Sequence, residues 1–297
     1  MSYFLFPGQG SQAPGMGHDF YEASAPAREI FERAAAILGS EFLDTLFRGE
    51  AEALQDTRNA QTALVTTGVA IAEHLAAQGI APTGCAGHSI GEISALVVAG
   101  SILFEDALGL TRERARLMSE EVPLGSMAAV IGLDPDAIAA ALPEGAEIAN
   151  FNGPGQTIVS GTLAALDRAK QLLLDAGARK ILPLKVSGPF HSASMGDASQ
   201  KLRAHAESLS LSPPQCRFIS SVSGQVETDP ESIRELLWKQ LAAPVRWTEV
   251  MLAIGPEPAL ELGPGNALKG IARRTEGGPA VTSAGSIDAI DTLSSSV

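Results

Sequence analysis

The stretch "GCAGHSIGEISALVVAG", residues 84–100, decides the fold of this chain. Small residues at 84–87 predict a short buried strand, and the apolar run at 92–100 predicts a buried helix. Between them stands Ser89 in the pattern Gly-x-Ser-x-Gly, which is typical of a sharp strand-to-helix turn. Strand, turn and helix in this order form a βα unit, so we expect a parallel α/β sheet.

Ser89 is either a nucleophile or a small residue that the turn requires. In a nucleophile elbow the serine lies at the tip, and flanking glycines let the neighbouring backbone approach without a Cβ clash. The backbone N–H of the next residue, Ile90, then points to where an oxyanion would form. The pattern alone occurs by chance in many proteins, but the strand before it and the helix after it favour the nucleophile.

Strands and helices are predicted to alternate along the rest of the chain. Strands are predicted at 3–6, 125–133, 147–161, 179–188 and 216–224. Helices are predicted at 25–39, 59–79, 104–122, 134–142 and 162–177. A strand, a Gly-Pro-Gly turn and a helix are predicted over 258–274, and a last strand with a short helix over 276–297.

The predicted order of elements changes between residues 125 and 189. There the order is strand, helix, strand, helix, strand, which is typical of a compact split βαβ subdomain. We therefore expect a discontinuous large domain made of residues 1–124 and 190–297, with a small subdomain at 125–189 inserted into it.

Composition and charge argue against several classes of protein. The chain has 297 residues, of which 45% are hydrophobic, and a net charge of −13, whereas a nucleic-acid-binding protein needs a basic face. The two cysteines, Cys85 and Cys216, form no zinc-binding or disulfide pattern, so no metal site is expected. Because the sequence has no basic leader and no run of about 20 apolar residues, we expect a cytoplasmic protein without a membrane span.

A nucleophilic serine needs a base, and His191 is the strongest candidate among five histidines. It lies in "SGPFHSASM" (187–195), a loop after a predicted strand, where it is either a base or the cap of the next helix. The other histidines are weaker candidates: His88 adjoins Ser89 and should diverge from it, His18 is possible, and His74 and His205 fall on helical surfaces. No acid stands out between Ser89 and His191, so we expect a backbone carbonyl to orient the imidazole.

Arg114 lies on the apolar face of the helix predicted at 104–122. Its neighbours at helical spacing are Leu110, Leu117 and Met118, which predicts that its guanidinium faces the interior. A buried guanidinium without an anion is costly. Its partner is either an internal carboxylate or the free carboxylate of a substrate held near the serine, and the spacing does not decide between them.

Eight motifs occur in an order and spacing that resemble one family. They are "FPGQGSQAPGMG" (6–17), "GHSIGEISALVVAG" (87–100), "RARLM" (114–118), "GSMAAVIGL" (125–133), "NFNGPGQTIVSG" (150–161), "VSGPFHSASM" (186–195), "APVRWTE" (243–249) and "ELGPGNALKG" (261–270). The chain is identified by them as similar to malonyl-CoA:acyl carrier protein transacylases, the acyltransferases of fatty-acid and polyketide synthesis. The resemblance covers nearly the whole chain.

The resemblance implies roles for residues of this sequence. Ser89 would be the nucleophile that carries the malonyl ester, and His191 would be its base and later its acid. Arg114 would bind the malonyl carboxylate. Gln9 and the Ile90 N–H would form the oxyanion hole. The implied fold is an α/β-hydrolase-like large domain with an inserted ferredoxin-like small subdomain.

The resemblance also implies the surroundings of the site. Gln61 and Asn152 would line the substrate pocket, and a backbone carbonyl around Ile254 would orient the histidine. Phe190 stands where the family often has serine, and its bulk would leave less room at the substrate's α-carbon. Another departure is "QTAL" (61–64) in place of the usual Gln-Pro-Ala-Leu.

Substrates and partners follow from the same resemblance. We expect malonyl-CoA and phosphopantetheinylated acyl carrier protein as substrates, coenzyme A as a product, no cofactor, and a monomer. The alternatives are a serine hydrolase such as a thioesterase, which shares Ser89 and His191, and the malonyl transferase subunit of a malonate decarboxylase. An inward-facing Arg114 and the inserted subdomain favour a transferase over a hydrolase.

Overall fold

Two β-sheets organise the computed structural model, which describes residues 2–294. The strands are β1 (Ser2–Phe6), β2 (Pro82–Gly87), β3 (Ser126–Ile131), β4 (Ala146–Gly153), β5 (Gln156–Gly161), β6 (Lys180–Pro183), β7 (Arg217–Ile219), β8 (Val226–Glu227), β9 (Pro258–Glu261) and β10 (Ala280–Ser283). The first sheet has six strands in the order β10-β9-β1-β2-β7-β8. Within this sheet every pair of adjacent strands is parallel except β7 and β8, which are antiparallel. The predicted parallel sheet is therefore confirmed.

Fourteen helices lie in the described part of the chain. They are α1 (His18–Ala23), α2 (Ala25–Leu38), α3 (Glu41–Arg48), α4 (Ala51–Gln55), α5 (Thr57–Ala77), α6 (Gly91–Val98), α7 (Phe104–Glu120), α8 (Pro135–Ala141), α9 (Leu163–Asp175), α10 (Gly196–Glu207), α11 (Pro230–Lys239), α12 (Trp247–Ile254), α13 (Ala267–Ala272) and α14 (Ile287–Ser294). Of these helices, α8 and α9 belong to the second sheet. The predicted tail, 276–297, contains β10 and α14, and its last three residues lie outside the described range. None of the helices within residues 2–294 is long and apolar enough to cross a membrane.

The central strand β1 shows why this sheet is buried on both faces. Phe4 and Phe6 pack into one apolar cluster, while Tyr3 and Leu5 pack into another that contains Trp247. Side chains alternate along a strand, so an unbroken apolar run fills the core on both sides. The loops that leave the carboxyl ends of β1 and β2 carry Gln9 and Ser89 of the candidate site.

The second sheet is antiparallel, has the order β4-β5-β3-β6, and lies within residues 126–183. Helices α8 and α9 pack against it through a separate apolar cluster that includes Val130, Ile138 and Leu173. Strand β4 also bonds to the rest of the protein, because the Phe151 N–H donates to the Val245 carbonyl at 2.8 Å. This contact brings the asparagines of β4 to the back of the site.

Three predicted strands differ from the structure, and one of them, predicted at 179–188, ends at Pro183. The segment 147–161 is a hairpin of β4 and β5 rather than one strand, because Gly153 and Gly155 turn the chain with φ of 152° and 73°. The strand predicted at 216–224 ends at Ile219. Beyond it, the side chains of Ser220 and Ser221 hydrogen-bond to Glu92 instead of continuing the sheet.

Glycines 87 and 91 make the turn at Ser89 possible. A Cβ on Gly87 would lie 2.0 Å from the Gly91 carbonyl carbon, and one on Gly91 would lie 2.2 Å from the Phe6 oxygen. Ser89 itself has a φ of 51°, a left-handed conformation that is unfavourable for a residue with a side chain. The strand, the turn and the helix are therefore held together by backbone contacts that only glycine allows.

Replacement of Gly91 by alanine should destabilise the protein by about 3 kcal/mol, because the new methyl group meets fixed backbone. The matched control is Gly270→Ala in α13, where a Cβ would meet no atom within 4 Å and helix propensity favours alanine. The free energy of unfolding in urea checks both variants. Equal stability of the two would contradict the packing argument.

Candidate active site

Ser89 and His191 lie together although they are 102 residues apart in the sequence. The Ser89 Oγ is 2.7 Å from the His191 Nε2, and both side chains are buried. Ser89 stands at the turn between β2 and α6, and His191 stands in the loop before a 3-10 turn, Ala193–Met195. Both have left-handed backbone, with φ of 51° and 57°. This geometry is that of a serine nucleophile and its base.

Two backbone carbonyls orient the imidazole. The His191 Nδ1 lies 2.9 Å from the Gln240 oxygen and 3.1 Å from the Ala243 oxygen. Carbonyls only accept, so Nδ1 carries the proton and Nε2 is free to accept the proton of the Ser89 hydroxyl. The prediction of a backbone carbonyl is confirmed, but its placement around Ile254 is wrong. Ile254 ends α12 and packs against another core cluster.

The position of the carbonyls has a physical reason. Gln240 caps the C-terminus of α11, where carbonyls have no partner within the helix. The C-terminal end of a helix also carries partial negative charge. The carbonyl end of α11 therefore holds the neutral imidazole in place and would stabilise the imidazolium that forms when His191 takes a proton.

His191 is neutral at pH 7. Burial and the nearby charge of Arg114 lower the pKa of His191 from 6.5 to about 3, against the opposing effect of the hydrogen bond to Gln240. A neutral imidazole with its Nε2 on a hydroxyl is ready to act as a general base.

Arg114 points inward, as its place on the apolar face of α7 predicts, and only 1% of it is exposed. One terminal nitrogen donates to the Ser89 Oγ at 3.1 Å and to the Gln240 Oε1 at 2.9 Å, and the other donates to the Gln61 Oε1 at 2.7 Å. Burial lowers the pKa of Arg114 to about 10, which still leaves it protonated at neutral pH.

The guanidinium of Arg114 has no carboxylate partner among residues 2–294. Its acceptors are the amides of Gln61 and Gln240, the Ser89 hydroxyl and the Met118 sulfur. The sequence leaves two partners open for Arg114, an internal carboxylate and the carboxylate of a substrate. In the described residues no internal carboxylate contacts the guanidinium. A buried, charged group with neutral acceptors retains its affinity for an incoming carboxylate.

Glu92 and Gln240 are site residues that the sequence analysis missed. Glu92 is buried on the first turn of α6, and its carboxylate accepts hydrogen bonds from Ser220, Ser221 and Gln240. Burial raises the pKa of Glu92, and these donors oppose the increase. The available signal was a lone charged residue in the apolar helix "GEISALVV". No local pattern identifies Gln240.

The predicted oxyanion hole has two free donors in this structure. Within residues 2–294, the backbone N–H groups of Gln9 and Ile90 make no hydrogen bond to another protein group. Ile90 caps the N-terminus of α6, where such donors carry partial positive charge. The side chain of Gln9 is held by Thr57 at 3.2 Å and by Gln61 at 3.4 Å.

A cavity of about 350 Å³ opens beside Ser89, between the two sheets. Its polar lining includes Gln9, Ser89 and His191, and its apolar lining includes Met127 and Phe190. The predicted position of Phe190 at the substrate pocket therefore agrees with the structure. The size and the mixed lining suit a small acyl group followed by an extended arm.

Gln61 and Asn152 lie behind the cavity and do not line it. Gln61 is fully buried in α5 and bridges Gln9 and Arg114. The Asn152 Oδ1 lies 2.8 Å from the His88 Nε2, so Asn152 supports His88, and Asn150 lines the cavity in its place. The direct contact of Gln61 and Asn152 with substrate stays a prediction.

The remaining candidates do not enter the site. His18 lies near Glu22, His74 contacts Gln78, and His205 is in α10. In the part of the chain that the structure describes, no group of three or more potential ligand residues could hold a metal ion.

Comparisons of this chain with known proteins agree on one family. The model of the acyl transferase domain family matches residues 3–286. The chain is 40% identical over 282 residues to the malonyl CoA-acyl carrier protein transacylase of Bacillus subtilis, which covers 91% of this chain and 89% of that protein. It is 42% identical over 282 residues to the enzyme of the same name from Escherichia coli K12, with 91% of each chain covered.

Solved structures agree with these relatives. An acyl carrier protein S-malonyltransferase from Vibrio cholerae superposes with a TM-score of 0.93 at 39% identity, over 98% of this chain and 99% of that one. A malonyl-transacylase in complex with its type II PKS acyl-carrier protein superposes with a TM-score of 0.94 at 36% identity, over the full length of both chains. The mixed α/β fold with two sheets is common to them.

Burial of neutral His191 should make the protein less stable in acid. Between pH 6.5 and 3 the unfolded chain binds a proton at this residue and the folded chain does not, so stability falls as the pH falls. From pH 7 to pH 5 the loss due to His191 should be about 2 kcal/mol.

The test compares the free energy of unfolding in urea at both pH values for the wild type and His191→Asn. The variant should lose about 2 kcal/mol less than the wild type over this interval. His88, whose pKa burial also lowers, contributes equally to both proteins and cancels. An identical loss in both proteins would show that His191 is not held neutral.

Proposed function

The chain belongs to the acyl transferase domain family, and from that membership and the geometry of its site we propose that it is a malonyl-CoA:acyl carrier protein transacylase. It transfers the malonyl group from coenzyme A to the phosphopantetheine thiol of acyl carrier protein. The observation that carries the proposal is the protonated guanidinium of Arg114, which is buried 3.1 Å from the Ser89 hydroxyl and has no carboxylate partner in the described part of the chain.

In the first half-reaction, Ser89 takes the malonyl group. His191 accepts the hydroxyl proton through Nε2, and the Ser89 Oγ attacks the thioester carbonyl carbon. The N–H groups of Gln9 and Ile90 stabilise the oxyanion, each by about 3 kcal/mol. When the tetrahedral intermediate collapses, the C–S bond breaks, His191 returns the proton to the thiolate, and coenzyme A leaves.

In the second half-reaction, the malonyl-serine ester is discharged. His191 takes the proton of the phosphopantetheine thiol, and the sulfur attacks the ester carbonyl. The C–O bond to Ser89 breaks, and His191 gives the proton back to the Ser89 oxygen. The two substrates thus react in turn at one serine, which is a ping-pong mechanism.

Arg114 provides the selectivity for malonyl groups. The free carboxylate of the malonyl group would form a charge-assisted pair with the guanidinium, which acetyl groups cannot do. The charge of Arg114 also lowers the pKa of His191. A bound carboxylate offsets that charge, so His191 should become a stronger base when the correct acyl group is present.

The alternatives share part of this machinery. A serine hydrolase would use the same Ser89 and His191, but it has no need of a free cation beside the nucleophile. A malonyl transferase subunit of a malonate decarboxylase would use all three residues, and the chemistry at this site would be the same. The proposed reaction needs no cofactor, since the serine, the imidazole, the donors and the guanidinium supply every step.

We propose an α/β-hydrolase-like large domain of residues 1–124 and 190–297 with a ferredoxin-like subdomain at 125–189. The six-stranded sheet, parallel except for the pair β7 and β8, and its strand–serine–helix turn support the first. The element order β3-α8-β4-β5-α9-β6 supports the second. The cytoplasmic location and the monomeric state stay predictions.

Incubation with malonyl-CoA should leave one malonyl group on the wild-type protein, and Ser89→Ala should take up none. Intact-protein mass spectrometry measures the adduct. The control is Ser187→Ala, an exposed serine in the segment before His191, which should acylate normally. Adding phosphopantetheinylated carrier protein should remove the group rapidly. Discharge at the same rate by water alone would favour a hydrolase.

Arg114→Ala should lower kcat/KM for malonyl-CoA at least about 100-fold more than kcat/KM for acetyl-CoA, because only the malonyl group loses a buried charge partner. Arg112→Ala is the matched control: it lies on the same helix, is exposed and makes no ion pair in the described structure. Steady-state rates with each donor and carrier protein provide the measurement. Equal losses for both donors would contradict the role of Arg114.

A further inference from the structure

The side chain of Gln240 contacts three parts of the site at once. Its Nε2 donates to the Ser89 carbonyl at 3.2 Å and to the Glu92 Oε2 at 3.2 Å, while its Oε1 accepts from Arg114 at 2.9 Å. It is buried, with 1% of its surface exposed. Gln240 therefore lies between the Arg114 guanidinium and the buried carboxylate of Glu92.

Glu92 determines which way the Gln240 amide faces. Donors from Ser220 and Ser221 hold the carboxylate, and an ionised carboxylate only accepts. Both hydrogens of the Gln240 Nε2 are used, one on Glu92 and one on the Ser89 carbonyl. The amide oxygen is thereby left to face Arg114.

We propose that Gln240 and Glu92 are positioning residues for malonyl selectivity: the Gln240 amide fixes the Arg114 guanidinium and holds the Glu92 carboxylate one side chain away, so that the cation is not neutralised. This inference rests on the proposed function. A carboxylate in direct contact with Arg114 would form a buried ion pair and compete with the malonyl carboxylate for the same donors. At one side chain's distance, the charge of Glu92 still raises the pKa of Arg114 against the effect of burial.

The exchange variant Glu92→Gln/Gln240→Glu tests this directly. It keeps the net charge and the chain lengths of the two side chains, and it moves the carboxylate into contact with Arg114. A glutamine at 92 can still accept from the Ser221 N–H and donate to the Ser220 hydroxyl. The ratio of kcat/KM for malonyl-CoA to that for acetyl-CoA should fall about 100-fold, mainly through a higher KM for malonyl-CoA.

Two single variants distinguish the effect of the carboxylate's position from the effect of losing its charge. Glu92→Gln removes the charge but brings no carboxylate to Arg114, so its ratio should fall far less than that of the exchange variant. Glu261→Gln is the control for the loss of a buried carboxylate elsewhere in the protein. Glu261 accepts hydrogen bonds from the Leu268 and Lys269 N–H groups at 2.9 and 3.0 Å. It is far from Ser89 in the sequence and does not line the cavity. For this control, the ratio of kcat/KM for malonyl-CoA to that for acetyl-CoA should equal that of the wild type.

The outcomes distinguish the inference from the proposed function. A folded exchange variant, judged by circular dichroism, that keeps the wild-type donor ratio would overturn the inference alone. A wild type with no preference for malonyl-CoA would overturn the proposed function. If the exchange variant does not fold, Gln240→Met takes its place: without the amide, Arg114 can turn to Glu92 directly, so the ratio should again fall, and an unchanged ratio would overturn the inference.

Discussion

The structure of the site depends on one constraint, the burial of a guanidinium that has no ion-pair partner among the residues the structure describes. Moving a charge out of water is costly, and proteins usually offset the cost with a direct counter-ion. Here Arg114 is instead surrounded by neutral acceptors on α5, α11 and the Ser89 turn. These elements come from distant parts of the sequence, and the core that packs them together is what keeps the cation fixed.

The same core holds two residues in strained backbone conformations. Ser89 and His191 are the residues other than glycine with left-handed φ in the described chain, and both belong to the reactive pair. At Ser89 the strain is supported by the close approach of Gly91 to β1. At His191 it is supported by the N–H bond to the Leu241 carbonyl and by the Gln240 and Ala243 carbonyls. Strain is thus confined to the atoms that react, while the surrounding elements are regular.

Local sequence patterns predicted the parts of the site that depend on local structure. The strand, turn and helix around Ser89 follow from small and apolar residues in sequence, and the burial of Arg114 follows from its helical neighbours. The pattern could not predict Glu92 and Gln240 as partners, because they are 148 residues apart and meet only after the sheet has formed. The carbonyls that hold His191 were misplaced for a related reason: every residue has a carbonyl, so only the fold shows which one lacks a partner.

The use of backbone carbonyls in place of an acid behind His191 follows from the same constraint. A carboxylate on Nδ1 would strengthen the base, but it would also place a second negative charge in the cluster that surrounds Arg114. Carbonyls at the end of α11 fix the same tautomer without a full charge. In the free protein the guanidinium lowers the pKa of His191, and under the proposed function a bound malonyl carboxylate would relieve that effect. Within residues 2–294, His191 is held by carbonyls instead of an acid and Arg114 has neutral acceptors instead of a carboxylate. The two features form one arrangement, in which, under the proposed function, the substrate would supply the anion.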